Sequence, residues 1–153
     1  MKVLLINKFL FPKGGDATCT LDTGDLLCSH NHKVIFWGMH HELNQKFPLN
    51  EYFISNIKFN NSSSIKNQQR IALNLLYSKE AKKKISKIVE LEKPDIVHLN
   101  NFAHQISPSI LHIFKKYGIP VVMTMHDFKL VCPAYSMLFN NTPCERCKNG
   151  KYY

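Results

Sequence analysis

The sequence lacks any apolar run long enough to cross a membrane or to form the core of a secretory signal peptide. Its apolar N-terminal segment, residues 3–6, is far shorter than the ~20 residues of a membrane span. We therefore expect a cytoplasmic chain, associated at most with the inner face of a membrane. In a reducing cytosol, closely spaced cysteines favour metal binding or thiol chemistry over disulfides. Cys19 and Cys28 have no close partner in the sequence and are expected to be small buried apolar residues.

Two signatures of nucleotide-binding proteins are also missing. The chain has no Gly-x-Gly-x-x-Gly fingerprint, and the second expected strand ends at Gly38 and Met39 without the acid that would hold a ribose. The Gly-Lys-Ser/Thr ending of a phosphate-binding P-loop is absent as well. These absences argue against a nicotinamide enzyme and against a P-loop NTPase.

Acidic residues are scarce, at 11 Asp and Glu against 20 Lys and Arg, which gives a formal net charge of +9. This excess favours an anionic partner, which could be nucleic acid, an acidic membrane surface or a phosphorylated small molecule. Much of it falls on lysines that alternate with apolar residues as on the solvated face of a helix. These are Lys79, Lys82, Lys83, Lys84 and Lys87.

What the sequence does contain is an alternation of strand and helix patterns. Apolar runs predict buried strands at 2–7, 34–37, 95–99 and 119–124, with a weaker strand at 51–54. Helical patterns cover 16–29, 64–92 and 107–117, separated by turn residues and by a polar loop at 60–64. Parallel strands need such helical crossovers, so the fold class is α/β, a Rossmann-like parallel sheet with helices on both faces.

The ends of the predicted helices can also be read from the sequence. The first helix would bury one face, and Asn31 would take the left-handed conformation that ends it. That face consists of Ala17, Leu21, Leu26 and Leu27. Ser107 and Pro108 have the cap and first-position chemistry of a helix start, and Gly118 would end that helix.

Residues with useful chemistry follow the first and last predicted strands. Gly14 and Gly15 would let backbone N–H groups approach an anion at a helix N-terminus, although a plain tight turn is an equal alternative. His126 and Asp127 follow the last strand, where ligands of open α/β sheets bind. For Asp127, capping of the next segment is at least as good an explanation as ligand contact.

The cysteines near the C-terminus form a separate candidate site. Cys144 and Cys147 have the two-residue spacing that lets two thiolates bind one zinc ion, and Cys132 is near enough to be a third ligand. A fourth ligand would have to be His126, water or a residue beyond 153. Unligated thiols are the main alternative, and a redox pair is a weaker one because Cys144 does not open a helix after a strand.

Several motifs together resemble those of family 4 glycosyltransferases. They are Gly14-Gly15, His32-Lys33-Val34, Pro94-Asp95-Ile96-Val97-His98 and Thr124-Met125-His126-Asp127. The segment from His126 to Pro133, followed by Cys144 to Tyr152, is similar to a subgroup of these enzymes with a cysteine-rich insertion. The resemblance extends over the whole chain.

This resemblance implies a retaining enzyme of the two-domain GT-B architecture, which moves a sugar from a nucleotide-diphosphate sugar to a saccharide or lipid-linked acceptor without an obligatory catalytic metal. Gly14 and Gly15 would approach the diphosphate or sugar of the donor, and His126 would contact the transferred sugar. Asp16 departs from the usual glutamate or alanine, so its substrate role is open. For His104, acceptor contact and a solvated loop position are equal alternatives.

By the same resemblance, residues 1–153 would be the N-terminal acceptor domain, with an incomplete cysteine-rich insertion at 128–153 and without the donor-binding domain. Such a chain is expected to be inactive alone, and a non-catalytic remnant is the alternative. A zinc-stabilised nucleic-acid module is a weaker one, because interleaved aromatic residues and a capped basic recognition helix are absent. The basic charge fits an acceptor at an anionic membrane.

Overall fold

The computed structural model describes residues 1–56, 74, 76–103 and 106–150. Four parallel strands form one sheet in the order β2-β1-β3-β4: β1 (Lys2–Ile6), β2 (Lys33–Trp37), β3 (Ile96–Leu99) and β4 (Val121–Met123). The helices are α1 (Gly15–Ser29), α2 (Lys79–Glu92) and α3 (Leu111–Lys116). The predicted Rossmann-like α/β class is confirmed, and each of the four main strands lies within its predicted range or one residue beyond it.

The core lies on both faces of the sheet. Leu4 and Ile6 of β1 join a buried cluster with residues of α2 and α3. Val3 and Leu5 are buried as well, and side chains alternate along a strand, so they pack on the opposite face. That face is covered by α1, which buries Ala17 and Leu21.

The buried face of α1 differs from the predicted one. Leu26 is 60% exposed, whereas Thr20 and Gly24 are buried with Ala17 and Leu21. A Cβ atom at Gly24 would overlap the Phe36 ring of β2, so the absence of a side chain brings helix and strand close together. The expectation that Cys19 and Cys28 are buried was wrong, because both point outward from this helix. Asn31 is left-handed as predicted, with φ of 61°.

The region before α2 departs from the predicted long helix. Of its range, residues 64–73 and 75 lie outside the described part of the structure, as does the predicted polar loop at 60–64. Tyr77 and Ser78 are not helical, so no continuous helix runs from 64 to 92. Instead α2 begins at its own cap, where the Ser78 hydroxyl accepts a hydrogen bond from the Ala81 N–H at 3.1 Å. It ends at left-handed Lys93, just before Pro94.

The predicted strand at 51–54 is a 3₁₀ turn, Asn50–Tyr52, followed by a single parallel bridge between Met39 and Ile54. A second 3₁₀ turn, Pro108–Ile110, leads into α3, with the Ser107 hydroxyl accepting from the Ser109 N–H. Gly118 has φ of 64° and follows α3, as predicted.

The last strand of the sheet is not buried, contrary to the prediction. All three residues of β4 are exposed, Val122 by 51%. The reason is its position, since β4 pairs only with β3 and lies at the edge of the described sheet. After it, residues 138–143 form a small antiparallel hairpin, β5 (Leu138–Phe139) and β6 (Thr142–Pro143), and a 3₁₀ turn spans Lys148–Gly150. No helix in the described ranges is long and apolar enough to cross a bilayer.

Candidate functional site

The carboxyl ends of β1 and β3 define the position of the candidate site. From β1 the chain passes through α1 to β2 on one side, while β3 pairs with β1 on the other side. This reversal of strand order is the topological switch point where ligands of open α/β sheets bind. Asn7 follows β1, Asn100 and Asn101 follow β3, and Thr124 follows β4, so four polar residues lie along one edge.

Asn7 and Asn101 hold the two central strand ends together. The Oδ1 of Asn7 accepts a hydrogen bond from the Asn101 N–H at 2.9 Å, and the Lys8 N–H donates to the Asn101 carbonyl at 2.7 Å. The Asn7 amide donates in turn to the Phe9 carbonyl at 2.8 Å. These asparagines were not among the predicted site residues, and their place directly after apolar strands was the available signal.

His126 contacts a buried asparagine at the same edge. Its Nε2 donates to the Oδ1 of Asn100 at 2.8 Å. Asn100 is 2% exposed, and its backbone N–H donates to the Ile6 carbonyl at 2.9 Å. Its Nδ2 has no hydrogen-bond partner within the described ranges, although it is buried. An unpartnered buried donor is costly and rare in native proteins.

A pocket of about 120 Å³ opens beside these residues, between the ends of β3 and β4. Its polar lining residues include Asn100, Asn101 and His126, and its apolar ones include Phe102, Met123 and Leu130. Asp127 also lines it. The Asp127 carboxylate accepts from the Lys129 N–H at 2.9 Å and pairs with the Lys129 ammonium at 3.1 Å, so it caps the turn after β4.

The glycine pair begins α1 at the same edge. Gly14 is the N-cap with extended backbone, φ of −170°, and Gly15 opens the helix. A Cβ atom at Gly15 would meet nothing within 4 Å, so packing within the described structure does not require glycine there. The following Asp16 accepts a hydrogen bond from the Asn101 amide at 3.1 Å. Asp16 therefore braces the switch point, and the backbone N–H groups beside it remain accessible to a ligand.

Three lysines surround the turn after β1. Burial, and after it the nearby charges of Lys13 and Lys129, lower the pKa of Lys8 below its usual value, while Asp16 opposes the shift. The ammonium groups of Lys8 and Lys13 lie 5.1 and 3.9 Å from the centre of the Phe9 ring. This grouping of positive charge beside a helix N-terminus suits an anionic group of a ligand.

A second histidine lies next to His126. The Nε2 of His98 and the Thr124 hydroxyl are 2.7 Å apart, and burial, followed by the charge of His126, lowers the pKa of His98. His98 is thus kept neutral and fixes Thr124, consistent with the satisfied residue predicted from its place within a strand. His104 lies outside the described residues, so its two alternatives stay open.

The cysteines near the C-terminus lie around the small hairpin. The Cys144 N–H donates to the Met137 carbonyl at 2.7 Å, directly after β6, and Cys132 lies in the turn before the hairpin. In the described part of the chain no three His, Cys, Asp or Glu side chains lie close enough to hold a metal ion. Among the described residues, Cys132, Cys144 and Cys147 are therefore not grouped as three ligands of one ion, and zinc binding stays a prediction.

The class defined by this fold is an α/β domain with a Rossmann-like parallel sheet and a pocket at the carboxyl edge of its strands. The fold is similar to the crystal structure of the C-terminal domain of a hydrogenase from Pyrococcus furiosus, with a TM-score of 0.52 and 14% sequence identity. The match covers 81% of this chain and 90% of that domain. Identity this low shows the fold alone, and function has to be argued from the site. No family model and no curated protein matches the sequence.

Proposed function

We propose that the chain is the acceptor-side domain of a retaining glycosyltransferase, which moves a sugar from a nucleotide-diphosphate sugar to a saccharide or lipid-linked acceptor. One observation carries the proposal. His126, with Nε2 held by Asn100, lies on the same edge of the sheet as the Gly14–Gly15 turn. The motif resemblance supports the same function, because these are the residues through which it implies contact with sugar and diphosphate.

Sugar transfer from a diphosphate needs groups that stabilise the negative charge of the leaving group and groups that bind sugar hydroxyls. The first requirement is met by the N-terminus of α1 together with Lys8 and Lys13. The second is met by polar side chains of the pocket. With Nε2–H donated to Asn100, the Nδ1 atom of a neutral His126 ring can accept from a hydroxyl.

The size of the pocket fits one sugar ring better than a whole nucleotide. Its volume is about 120 Å³, below the roughly 300–1,000 Å³ of typical pockets for drug-sized ligands. A pyranose presents hydroxyl groups at its rim and C–H groups on its faces, which suits a lining of apolar side chains with a few polar groups. The nucleotide would then need a surface beyond this pocket, consistent with a second, donor-binding domain in the proposed enzyme.

The test is calorimetric titration of the 153-residue chain with methyl pyranosides of glucose, mannose and N-acetylglucosamine, and with UDP-glucose and GDP-mannose. We expect millimolar binding of at least one pyranoside, lost in H126N and retained in the matched surface variant H112N. Neither nucleotide sugar should be hydrolysed or transferred by the chain alone. Absence of any pyranoside binding would contradict the sugar-binding function, and turnover by the chain alone would contradict the acceptor-domain assignment.

A further inference from the structure

We infer that Asn100 is the specificity-determining residue of the pocket, whose Nδ2 donates a hydrogen bond to one hydroxyl oxygen of a bound pyranose. The class of ligand in this inference, a pyranose, rests on the proposed function. The new element is the residue that recognises one of its hydroxyl groups. The side chain has two polar ends with different tasks. Oδ1 accepts from His126 at 2.8 Å, and Nδ2 is the end left for the ligand.

The burial of Asn100 is the first support. The residue is 2% exposed and lines the pocket. Its Nδ2 is buried and has no hydrogen-bond partner among the residues that the structure describes. Its backbone is also fixed, since its N–H donates to the Ile6 carbonyl at 2.9 Å. Because neither the backbone nor Oδ1 is free to move, the amide donor is held in position before a ligand arrives.

Charge distribution favours a hydroxyl over a phosphate as the group bound at this donor. Among the lining residues that the structure describes, the lysine is Lys129, and its ammonium is already paired with the Asp127 carboxylate at 3.1 Å. Lys8 and Lys13, which suit an anion, do not line the pocket. The apolar part of the lining includes Phe102, Met123 and Leu130, side chains that can pack against the C–H face of a ring.

The geometry also makes Asn100 a positioning residue for His126. Because an amide oxygen can only accept, the ring nitrogen that faces it carries the proton, and Nδ1 of the neutral ring is the acceptor. A ligand hydroxyl held by Nδ2 of Asn100 would therefore lie beside a histidine whose tautomer the same side chain has fixed. One asparagine thus couples recognition of the ligand to the proton state of the neighbouring ring.

Two substitutions separate these tasks. N100D replaces the donor Nδ2 by an acceptor and keeps an oxygen for His126, whereas N100L removes both ends at similar volume. N141D in the exposed turn of the hairpin adds the same charge and is the matched control. We expect N100L to weaken pyranoside binding at least tenfold, because it removes the donor to the ligand at a buried position. N100D serves the tautomer measurement, because a ligand hydroxyl can donate to its carboxylate and so keep a hydrogen bond. N141D should leave binding unchanged.

The readout is NMR of the ¹⁵N-labelled chain, titrated with the methyl pyranosides and, in a separate arm, with inorganic phosphate. Without ligand, the His126 ring should show the Nε2–H tautomer in the wild type and a mixture of tautomers in N100L. In N100D an oxygen still faces Nε2, so the Nε2–H tautomer should be kept. With ligand, the side-chain NH₂ signals of Asn100 should shift in the wild type.

The outcomes distinguish this inference from the proposed function. If a pyranoside shifts the Asn100 NH₂ signals and N100L loses affinity, both stand. A pyranoside that binds with unchanged affinity to N100L would overturn the role of Asn100 and leave the proposed function intact. If phosphate alone shifts these signals, or if neither probe does, the sugar contact at Asn100 is refuted. Amide dispersion in the spectra verifies that each variant is folded, and the Asn100 NH₂ signals of the wild type carry the test should N100L unfold.

Discussion

Asn7 and Asn101 join the ends of the two central strands, because the Asn7 Oδ1 accepts the Asn101 N–H at 2.9 Å across the switch point. Asn7 is fully buried, and its amide also donates to the Phe9 carbonyl. A single side chain thus satisfies two backbone groups from different loops. The shape of the crevice depends on this contact, since both loops lie at the carboxyl edge of the sheet.

The first prediction concerns that contact. N7A removes one acceptor and one donor and leaves two backbone groups without their partner. Net losses for such buried groups are about 1–3 kcal/mol each, partly relieved by water, so we expect a fall of about 2–4 kcal/mol in the free energy of unfolding. Urea denaturation measures it. The control is N56A, which replaces an exposed asparagine. It should change the free energy of unfolding by less than about 0.5 kcal/mol.

The second prediction compares two glycines of the same helix. In G24A the new methyl group would overlap the Phe36 ring, which lowers stability by about 1–3 kcal/mol. The higher helix propensity of alanine offsets about 1 kcal/mol of this loss. In G15A the methyl group would lie in open space. Thermal unfolding should therefore show a lower midpoint for G24A and an unchanged or higher one for G15A. Equal midpoints would mean that Phe36 moves aside without cost.

The third prediction is a pH dependence of stability that arises from His98. Burial and the charge of His126 lower the pKa of His98 in the folded chain, so the unfolded chain binds this proton more readily. The contribution of His98 to stability is therefore complete above the unfolded value of about 6.5 and is lost as the pH falls from there through the folded pKa. Urea denaturation at pH 7.5 and 5.5 measures the difference.

The variants for this experiment are H98Q and, as an exposed control, H112Q. H98Q should reduce the difference in unfolding free energy between the two pH values, because the group that resists protonation is gone. H112Q should keep the difference found for the wild type. A slope that is the same in H98Q and in the wild type would show that other groups cause the acid sensitivity.

The fourth prediction concerns the exposed edge strand. Val121, Val122 and Met123 of β4 present apolar side chains and pair on one side only within the described sheet, which is an arrangement prone to edge-to-edge association. V122K should decrease self-association at high protein concentration, measured by sedimentation velocity. Stability should change by less than about 0.5 kcal/mol, because Val122 is half exposed. An unchanged association constant would exclude β4 as the associating surface.

The fold could be predicted because its main strands are continuous apolar runs and its helix ends carry clear signals. Asn31, Ser107 and Gly118 have the conformations or contacts that their chemistry indicated. The exposure of β4 could not be predicted, since an apolar run of strand length has the same sequence at the edge of a sheet as at its centre. The burial of Leu26 was predicted wrongly because Thr20 and Gly24, rather than Leu26, complete the face of α1 that Ala17 and Leu21 bury.

The candidate site was predicted in part. His126 and the glycine pair do lie on the carboxyl edge of the sheet, as the positions of the strands implied. The asparagines at 7, 100 and 101 were missed, since their roles arise from contacts between residues up to 94 positions apart in sequence. Zinc binding by the cysteines stays a prediction, which metal analysis of the purified chain tests.

The most direct test of the central claim is a map of amide chemical shifts in the ¹⁵N-labelled chain during titration with a methyl pyranoside. We expect the shifted signals to belong to residues that share one edge of the sheet, namely Gly14, Gly15, Asn100, Asn101 and His126. The H126N substitution should reduce these shifts, and H112N should not. Shifts confined to other surfaces, such as the cavity beside β2 formed by Lys33, Phe47 and Glu92, would contradict a sugar site at the switch point.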